Sequence, residues 1–547
     1  MADVSPAWDA VVVGAGPNGL VAANLLVDAG WSVLVLEAQP TPGGAVRSAR
    51  DVDPDFVHDT MSSFYPLAAA SPVVQALGLE AYGLRWRHAP AVLGHFVPAT
   101  QSWAVLHRHR AVTAALLDRA HAGDGEAWLD LCETWDAIGE QLVGALVAPL
   151  PPVRTGLAAA ARLPRAGGLD LVRLLLTPAA DLTRQRFGGE AARLLLAGNA
   201  SHADIPLDAP GSGLMAVLLA MLGQTVGWPV PEGGAGALTA ALVRRFEAGG
   251  GTLRCSAEVT AVEVAARRAT GVRLADGERI GAGAVLADVA APHLYGGLVR
   301  PEDLPARTLR RMRGFRLDPA TLKVDWALSG PVPWAVPPPH APGTVHVADS
   351  VAELSESFAQ LGSGAVPARP FLLAGQMTTS DPTRSPEGTE SMWAYTHMPQ
   401  EVSSDAGGGG ITGRWDHDDC ERLGDRVQAR MEELAPGFGA LVRARRVLGP
   451  RELEARDANL IGGALNGGTA QLHQQLVLRP IPGTGRAETP VRGLFLASAS
   501  AHPGGGVHGA AGSNAARAAI AARRLGRLVS LPATLRSSAR TPGHHRG

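Results

Sequence analysis

A two-part α/β architecture is predicted by three observations. Residues 9–37 read as strand, glycine-rich turn, helix and second strand in unbroken succession. Dense glycines recur beside a strand and a helix at Gly233–Gly236 and again at Gly504–Gly506. Long stretches separate these three places, so the unit they build must be discontinuous, with the remainder inserted into it. The expected fold is a Rossmann-type domain from residues 1–70, 228–298 and 440–530. An α+β domain, residues 71–227 and 299–439, is inserted into it, and residues 531–547 are expected to be a disordered tail.

The chain has 547 residues, of which 46% are apolar and 18% charged, a globular balance that excludes wholesale disorder. A formal net charge of −2 gives no electrostatic case for nucleic acid. Cys132, Cys255 and Cys420 lie far apart and indicate neither a disulfide framework nor a zinc site. The histidines form no recognised metal spacing, so no metal is expected. The longest apolar run, Leu214–Leu222, falls short of the ~18–20 residues of a membrane span. With no basic leader pattern either, a cytoplasmic protein is expected.

Asp9–Val13 reads as a buried parallel strand. Gly14-Ala15-Gly16-Pro17-Asn18-Gly19 follows, then a helix ending at Gly30, then Ser32–Leu36 and Glu37. This is a dinucleotide fingerprint: Gly14 permits the tight turn, Gly16 lets a pyrophosphate approach the backbone, and Gly19 lets helix and strand pack closely. The phosphates belong on the helix N-terminus, and Glu37 is placed to accept from ribose hydroxyls.

The first insertion is mainly helical, with amphipathic spacing over Ala111–Ala120, Gly125–Leu146, Leu169–Leu176 and Ala191–Ala197. The second contains an alternating strand, Ala320–Leu328, a Pro-rich loop, Pro331–Pro342, and a glycine-rich segment, Ser403–Gly413, expected to be mobile. Val153–Leu176 mixes leucine and alanine with Arg154, Arg162, Arg165 and Arg173, which reads either as a lid packed on its own domain or as an interfacial segment. Ser201-His202-Ala203-Asp204 is not expected to form a triad, since sequence neighbours do not converge on one face; His202 is expected to line a substrate pocket.

Two further segments extend the first motif. Gly43-Gly44-Ala45-Val46-Arg47 follows the ribose acid, and Pro229–Thr239 leads through a helix, Ala240–Ala248, to a strand ending at Val259. Near the C-terminus, Gly493–Ser498 runs into Ala499-Ser500-Ala501-His502-Pro503-Gly504-Gly505-Gly506-Val507-His508 and a last helix, Gly512–Leu525. Together, in this order and over about residues 8–528, these motifs resemble the phytoene-desaturase-like family of the amine-oxidase superfamily.

The resemblance implies FAD as cofactor. It implies that Gly14, Ala15, Gly16, Pro17, Asn18, Gly19, Glu37, Ala38, Gly43, Gly44, Ala45, Arg47, Val259, Ser498, Gly505, Gly506 and Val507 bind it. It implies hydride abstraction from a hydrophobic small molecule to form a C=C bond, with oxygen or a quinone as electron acceptor and a peripheral membrane contact. Amine or alcohol oxidation, and isomerisation or scaffolding without net redox turnover, are the alternatives on the same fold. No second strand–GxGxxG–helix unit is present, so the substrate rather than a nicotinamide is the expected electron source. Lys323, the single lysine among 49 basic residues, is expected to hold a water against the flavin, as a lysine on a similar strand does in the amine-oxidase branch. The bland reading makes it a surface lysine on an edge strand or a partner of Asp325. His502 is the candidate proton acceptor, and His508 is expected to be structural.

Overall fold

The computed structural model describes residues 7–530, without the side chains of 526–530; the expected tail at 531–547 lies outside the described residues. Two seven-stranded sheets organise the chain. In the first, Trp8–Val13 lies between Arg279–Ala287 and Val33–Leu36, parallel to both. Thr252–Arg254 extends it beyond Val33–Leu36, and Leu494–Leu496 pairs with the end of Arg279–Ala287. That long strand also closes an antiparallel meander with Val259–Ala265 and Arg268–Leu274.

Both faces of this sheet are covered, which explains why Trp8–Val13 reads as a near-continuous apolar run. Ala10 and Val12 pack with Leu20, Leu238 and Ala515 of three helices, Pro17–Asp28, Gly236–Ala248 and Ala510–Ser530. Val11 and Val13 face the meander and Tyr295.

The second sheet runs Val442–Leu448, Ala320–Leu328, Glu390–Met398, Leu372–Gln376, Pro342–Val347, Ala91–Val97, Ser102–Leu106. Ala320–Leu328 is paired on both sides and buried throughout, so Lys323 lies on an interior strand. One face carries Leu93, Leu373 and Trp393 against helices Asp124–Val147, Glu190–Ala200 and Ser212–Thr225. The other packs Val324 and Trp326 on His417–Leu434.

Three expectations need correction. Val442–Leu448 pairs with Ala320–Leu328, so the chain returns to the first sheet after this strand rather than at 440. Ser403–Gly413 is tied down: Ser404–Asp405 pairs with Ala365–Val366, and Arg426 donates to Asp405 at 2.9 Å. Its glycines serve tight turns around those anchors. Val153–Leu176 does not pack as one unit. Val153–Arg162 has no buried residue, and Gly167 and Gly168, both at positive φ, turn the chain into Leu169–Leu176. Ala166, Leu171 and Leu174 pack on the helices of the inserted domain.

Candidate cofactor and substrate site

Helix Pro17–Asp28 starts at Gly16 with no side-chain cap and no acidic residue in its first turn. Pro17 has no N–H, Gly19 N donates to Asp288 and Leu20 N to Gly16 O. Asn18, at the cavity boundary, therefore carries the uncommitted leading N–H, where a diphosphate oxygen would be received. Gly14 sits at φ 95°, and a Cβ on Gly19 would stand 2.2 Å from the Gly14 carbonyl oxygen. Only glycine lets the helix approach the strand this closely.

Glu37 braces the same turn. Its carboxylate accepts from the backbone N–H of Ala15 at 2.8 Å and of Gln39 at 2.9 Å, leaving lone pairs free for hydroxyl donors. Its carbonyl accepts from Ala257 N at 2.8 Å, which brings Val259 beside it. Ala38 is exposed. Gly43 N donates to Ala15 O at 2.9 Å, so the second glycine pair folds back over the first motif. Arg47 donates from Nε to Gly44 O at 2.9 Å and from Nη2 to the Arg456 carbonyl. It does not line the cavity described below; the two carbonyls hold its guanidinium against the loop.

Two acids unforeseen in the sequence complete this region. Asp288, directly after Arg279–Ala287, accepts from Gly19 N at 2.8 Å. Burial, with Asp457 and Glu37 nearby, pushes its carboxyl up to about 8. Asp457 is raised too, chiefly by burial. A carboxyl kept neutral under the turn does not repel a diphosphate there. Asp288 lies 269 residues from Gly19, so no local pattern could have revealed it.

A buried charge network fixes the glycines at 233–236. Asp59 accepts from Ala235 N at 2.7 Å and Asp381 from Gly233 N at 2.8 Å. Arg384, fully buried, lies between them, with contacts of 3.0 Å to each. The approach to Asp59 is an ion pair without hydrogen-bond alignment.

One cavity of about 550 Å³ joins the two halves. Gly16, Pro17, Asn18, Ala45, Ser498, Gly505, Gly506 and Val507 lie at its boundary, as do Lys323, His202 and His502. Most of the cavity surface is apolar, with eleven leucines, Val143, Val147, Met215, Trp228 and Trp393 in its wall. Gly14, Ala15, Gly19, Glu37, Gly43, Gly44 and Val259 are not among its lining residues.

Lys323 is buried. It pairs with Asp325 and donates to Asp59 O at 2.9 Å, leaving one ammonium N–H uncommitted. Burial lowers its pKa, against the pull of Asp325. The partnership with Asp325 holds; the surface and edge-strand alternatives do not. His502 contacts Ala148 O through Nε2 at 3.0 Å, so that nitrogen carries the proton and Nδ1, buried without a partner, is the basic atom. Burial lowers its pKa and keeps the ring neutral. His508 accepts from Ala510 N at 3.0 Å through Nδ1, a cap on the last helix. Around His202 the neighbours diverge: Ser201 donates to Ala197 O, Asp204 holds Thr469 and Ala470, and His202 meets His346.

Arg479 was also missed. Fully buried at the cavity, it donates to the carbonyls of Asn466, Thr469 and Ala499, and burial brings its pKa down to about 10.

Residues 12–77 match the NAD(P)-binding Rossmann-like domain model. The chain is 28% identical over 558 residues to pyridine nucleotide-disulfide oxidoreductase domain-containing protein 2 of Mus musculus, covering 94% of this chain and 93% of that protein. It is 27% identical to a hydroxyneurosporene desaturase of Cereibacter sphaeroides, over 93% of this chain and 97% of the other. The chain is an FAD-dependent oxidoreductase related to the phytoene desaturases. Among solved structures, cyclohexylamine oxidase from Brevibacterium oxydans shares this oxidoreductase's fold with a TM-score of 0.56 and 16% identity, over 95% of this chain and all of that one. An oxidoreductase from Methanosarcina mazei does so at 0.58 and 16%, over 93% and 99%. Among the described residues of this oxidoreductase, no helix is long and apolar enough to cross a membrane.

Proposed function

We propose that this oxidoreductase removes the elements of H₂ from adjacent carbons of a hydrophobic substrate, leaving a C=C bond. The supporting observation is the apolar cavity that runs from the glycine cradle to Lys323 and His202. Bound FAD supplies a hydride acceptor. The chain's own residues hold the substrate carbon, exclude water and manage the proton. His502 Nδ1 is our candidate to receive the proton, and the uncommitted N–H of Lys323 to hold a water in the cavity. The residues expected to bind FAD keep that assignment, with Arg47 acting through the loop it braces. In this reading the first sheet and its helices form the cofactor domain and the second sheet forms the substrate domain, with oxygen or a quinone taking the electrons. Relatives named as desaturases support this chemistry. Amine or alcohol oxidation is the alternative, since amine oxidases share the fold.

A membrane contact belongs to the same reading. Val153, Leu157, Leu169 and Leu176 are 54–81% exposed, and so are Leu472, Leu476 and Val477 at 46–59%. Leu472 and Leu476 also line the cavity. Arginines 154, 162, 165 and 173 accompany the helices. Apolar side chains beside basic ones at a cavity mouth suit a lipid surface.

The test is an anaerobic visible spectrum of the purified yellow protein, before and after NADH, NADPH and a panel of lipophilic alkanes, alcohols and amines. Bleaching by a lipophilic C–H donor alone, with a C=C product, is expected. Rapid bleaching by a nicotinamide would overturn the substrate-as-reductant reading, and a carbonyl product from an amine or alcohol would replace desaturation by oxidation.

A further inference from the structure

Strand register sets a row, polar except at Leu373, across the cavity-facing side of the second sheet. Lys323 pairs with Tyr395, Tyr395 with Leu373, Leu373 with His346, and His346 with His95. His346 is fully buried, and its Nε2 meets His202 Nε2 at 2.8 Å. We propose that the wall carrying His202, Thr344 and Tyr395 docks a neutral oxygen, a carbonyl or hydroxyl, on an otherwise apolar substrate. This rests on the hydrophobic-substrate reading above and names the polar group that substrate carries.

Tautomer accounting supplies the donor. Burial depresses both imidazoles, His202 to about 3 and His346 well below its ordinary value, so both are neutral. Between neutral rings one Nε2 must donate and the other accept. His346 Nδ1 is buried without a partner, with Gly198 packed against it. An N–H stranded there would lose its hydrogen bond outright, whereas a bare lone pair costs less. His346 therefore donates from Nε2, and His202 carries its proton on Nδ1. That N–H makes no hydrogen bond among the described residues, and half-buried His202 lines the cavity.

Two more hydroxyls share this wall. Thr344, two residues before His346 on the same strand face, is 1% exposed, lines the cavity, and its Oγ1 has no partner. Tyr395 lines the cavity too, its phenol pushed up by burial alone. These donors are all uncharged, and the ammonium of Lys323 is already paired with Asp325. An uncharged acceptor matches them; a carboxylate would be desolvated without a counter-charge. Three strand spacings separate Lys323 from His346, roughly 14 Å along the sheet. An oxygen held at the His202 and Thr344 end of this wall therefore lies well away from a carbon reacting beside Lys323, whereas Tyr395 is the direct neighbour of Lys323.

The holoprotein is titrated with 2-decanone, 1-decanol, decanoate and decane, following the perturbation of the flavin absorption band. The ketone and alcohol are expected to bind about tenfold tighter than decane. His202→Phe, which keeps a ring against Trp228, is expected to erase that preference while decane affinity stays within about twofold. Thr344→Val, nearly isosteric, is expected to reduce it about threefold. Equal binding of decane and 2-decanone, or a preference surviving His202→Phe, would overturn the docking site. Decanoate binding tightest would overturn the neutral oxygen. If none of the four binds, the apolar-substrate reading fails and this inference with it. A ketone preference without any flavin reduction by lipophilic donors would remove only the desaturation reading.

Discussion

Lys323 and Asp325, two residues apart on one strand, form an ion pair whose side chains are 4% and 0% exposed. Arg446 completes it, donating to the other oxygen of Asp325 at 2.6 Å. Although burial works against ionisation, Lys323 and Arg446 hold the Asp325 carboxyl below its ordinary range. The lysine is therefore a buried, oriented charge at the cavity wall.

The two members of this pair are predicted to differ on mutation. Asp325→Asn leaves Lys323 buried without its carboxylate and Arg446 with Asp51 alone, and is expected to cost ~3–5 kcal/mol in urea unfolding. Lys323→Met leaves Asp325 paired with Arg446, so the protein folds and retains its flavin. Its flavin reduction and reoxidation should slow. Wild-type rates for both half-reactions in a stopped-flow experiment would remove the assigned water contact.

Asp288 predicts a pH dependence of the protein without its cofactor. Its carboxyl titrates at about 8 in the fold against 3.8 when unfolded. A raised acid stays protonated in the native state while the unfolded chain ionises, so this group's contribution to stability is full below about 4 and is lost as pH rises toward about 8. Asp288→Asn keeps an acceptor for Gly19 N and does not ionise. Thermal melts of the apoprotein between pH 5 and 9 should fall more steeply for wild type than for the variant; parallel curves would show that Asp288 does not titrate in this range.

Arg384 neutralises Asp59 and Asp381, and those carboxylates hold the backbone at Gly233 and Ala235. Arg384→Met is expected to cost ~3–5 kcal/mol and to loosen flavin retention during gel filtration. A variant as stable as wild type would show that the two acids are compensated elsewhere.

The exposed leucines predict lipid binding. Leu157→Glu with Leu169→Glu should abolish co-sedimentation with vesicles containing anionic lipid while the melting temperature stays unchanged. These side chains, 67% and 81% exposed, support no core. Wild-type protein that stays in the supernatant would remove the membrane contact.

Much of the local organisation, helix and strand, was legible in the sequence. Leu169–Leu176 and Ala320–Leu328 occur with the boundaries their periodicity implies. The apolar run Leu214–Leu222, noted only as too short for a membrane, is the middle of helix Ser212–Thr225, buried on most sides. Such an all-round apolar helix carries no amphipathic period to read.

What the sequence by itself determined is the turn at Gly14–Gly19 and its flanking strands and helix, because glycine spacing and apolar runs act through backbone sterics within a few residues. Only the tertiary structure decided that Asp288 sits beneath that turn, that Arg384 locks Gly233–Ala235, and that Lys323, Tyr395 and His346 share one row. Those relationships depend on which strands pair and in what register. A strand's own hydrophobic pattern fixes which face it buries, but which distant strand it pairs with is decided by packing among segments far apart in the chain.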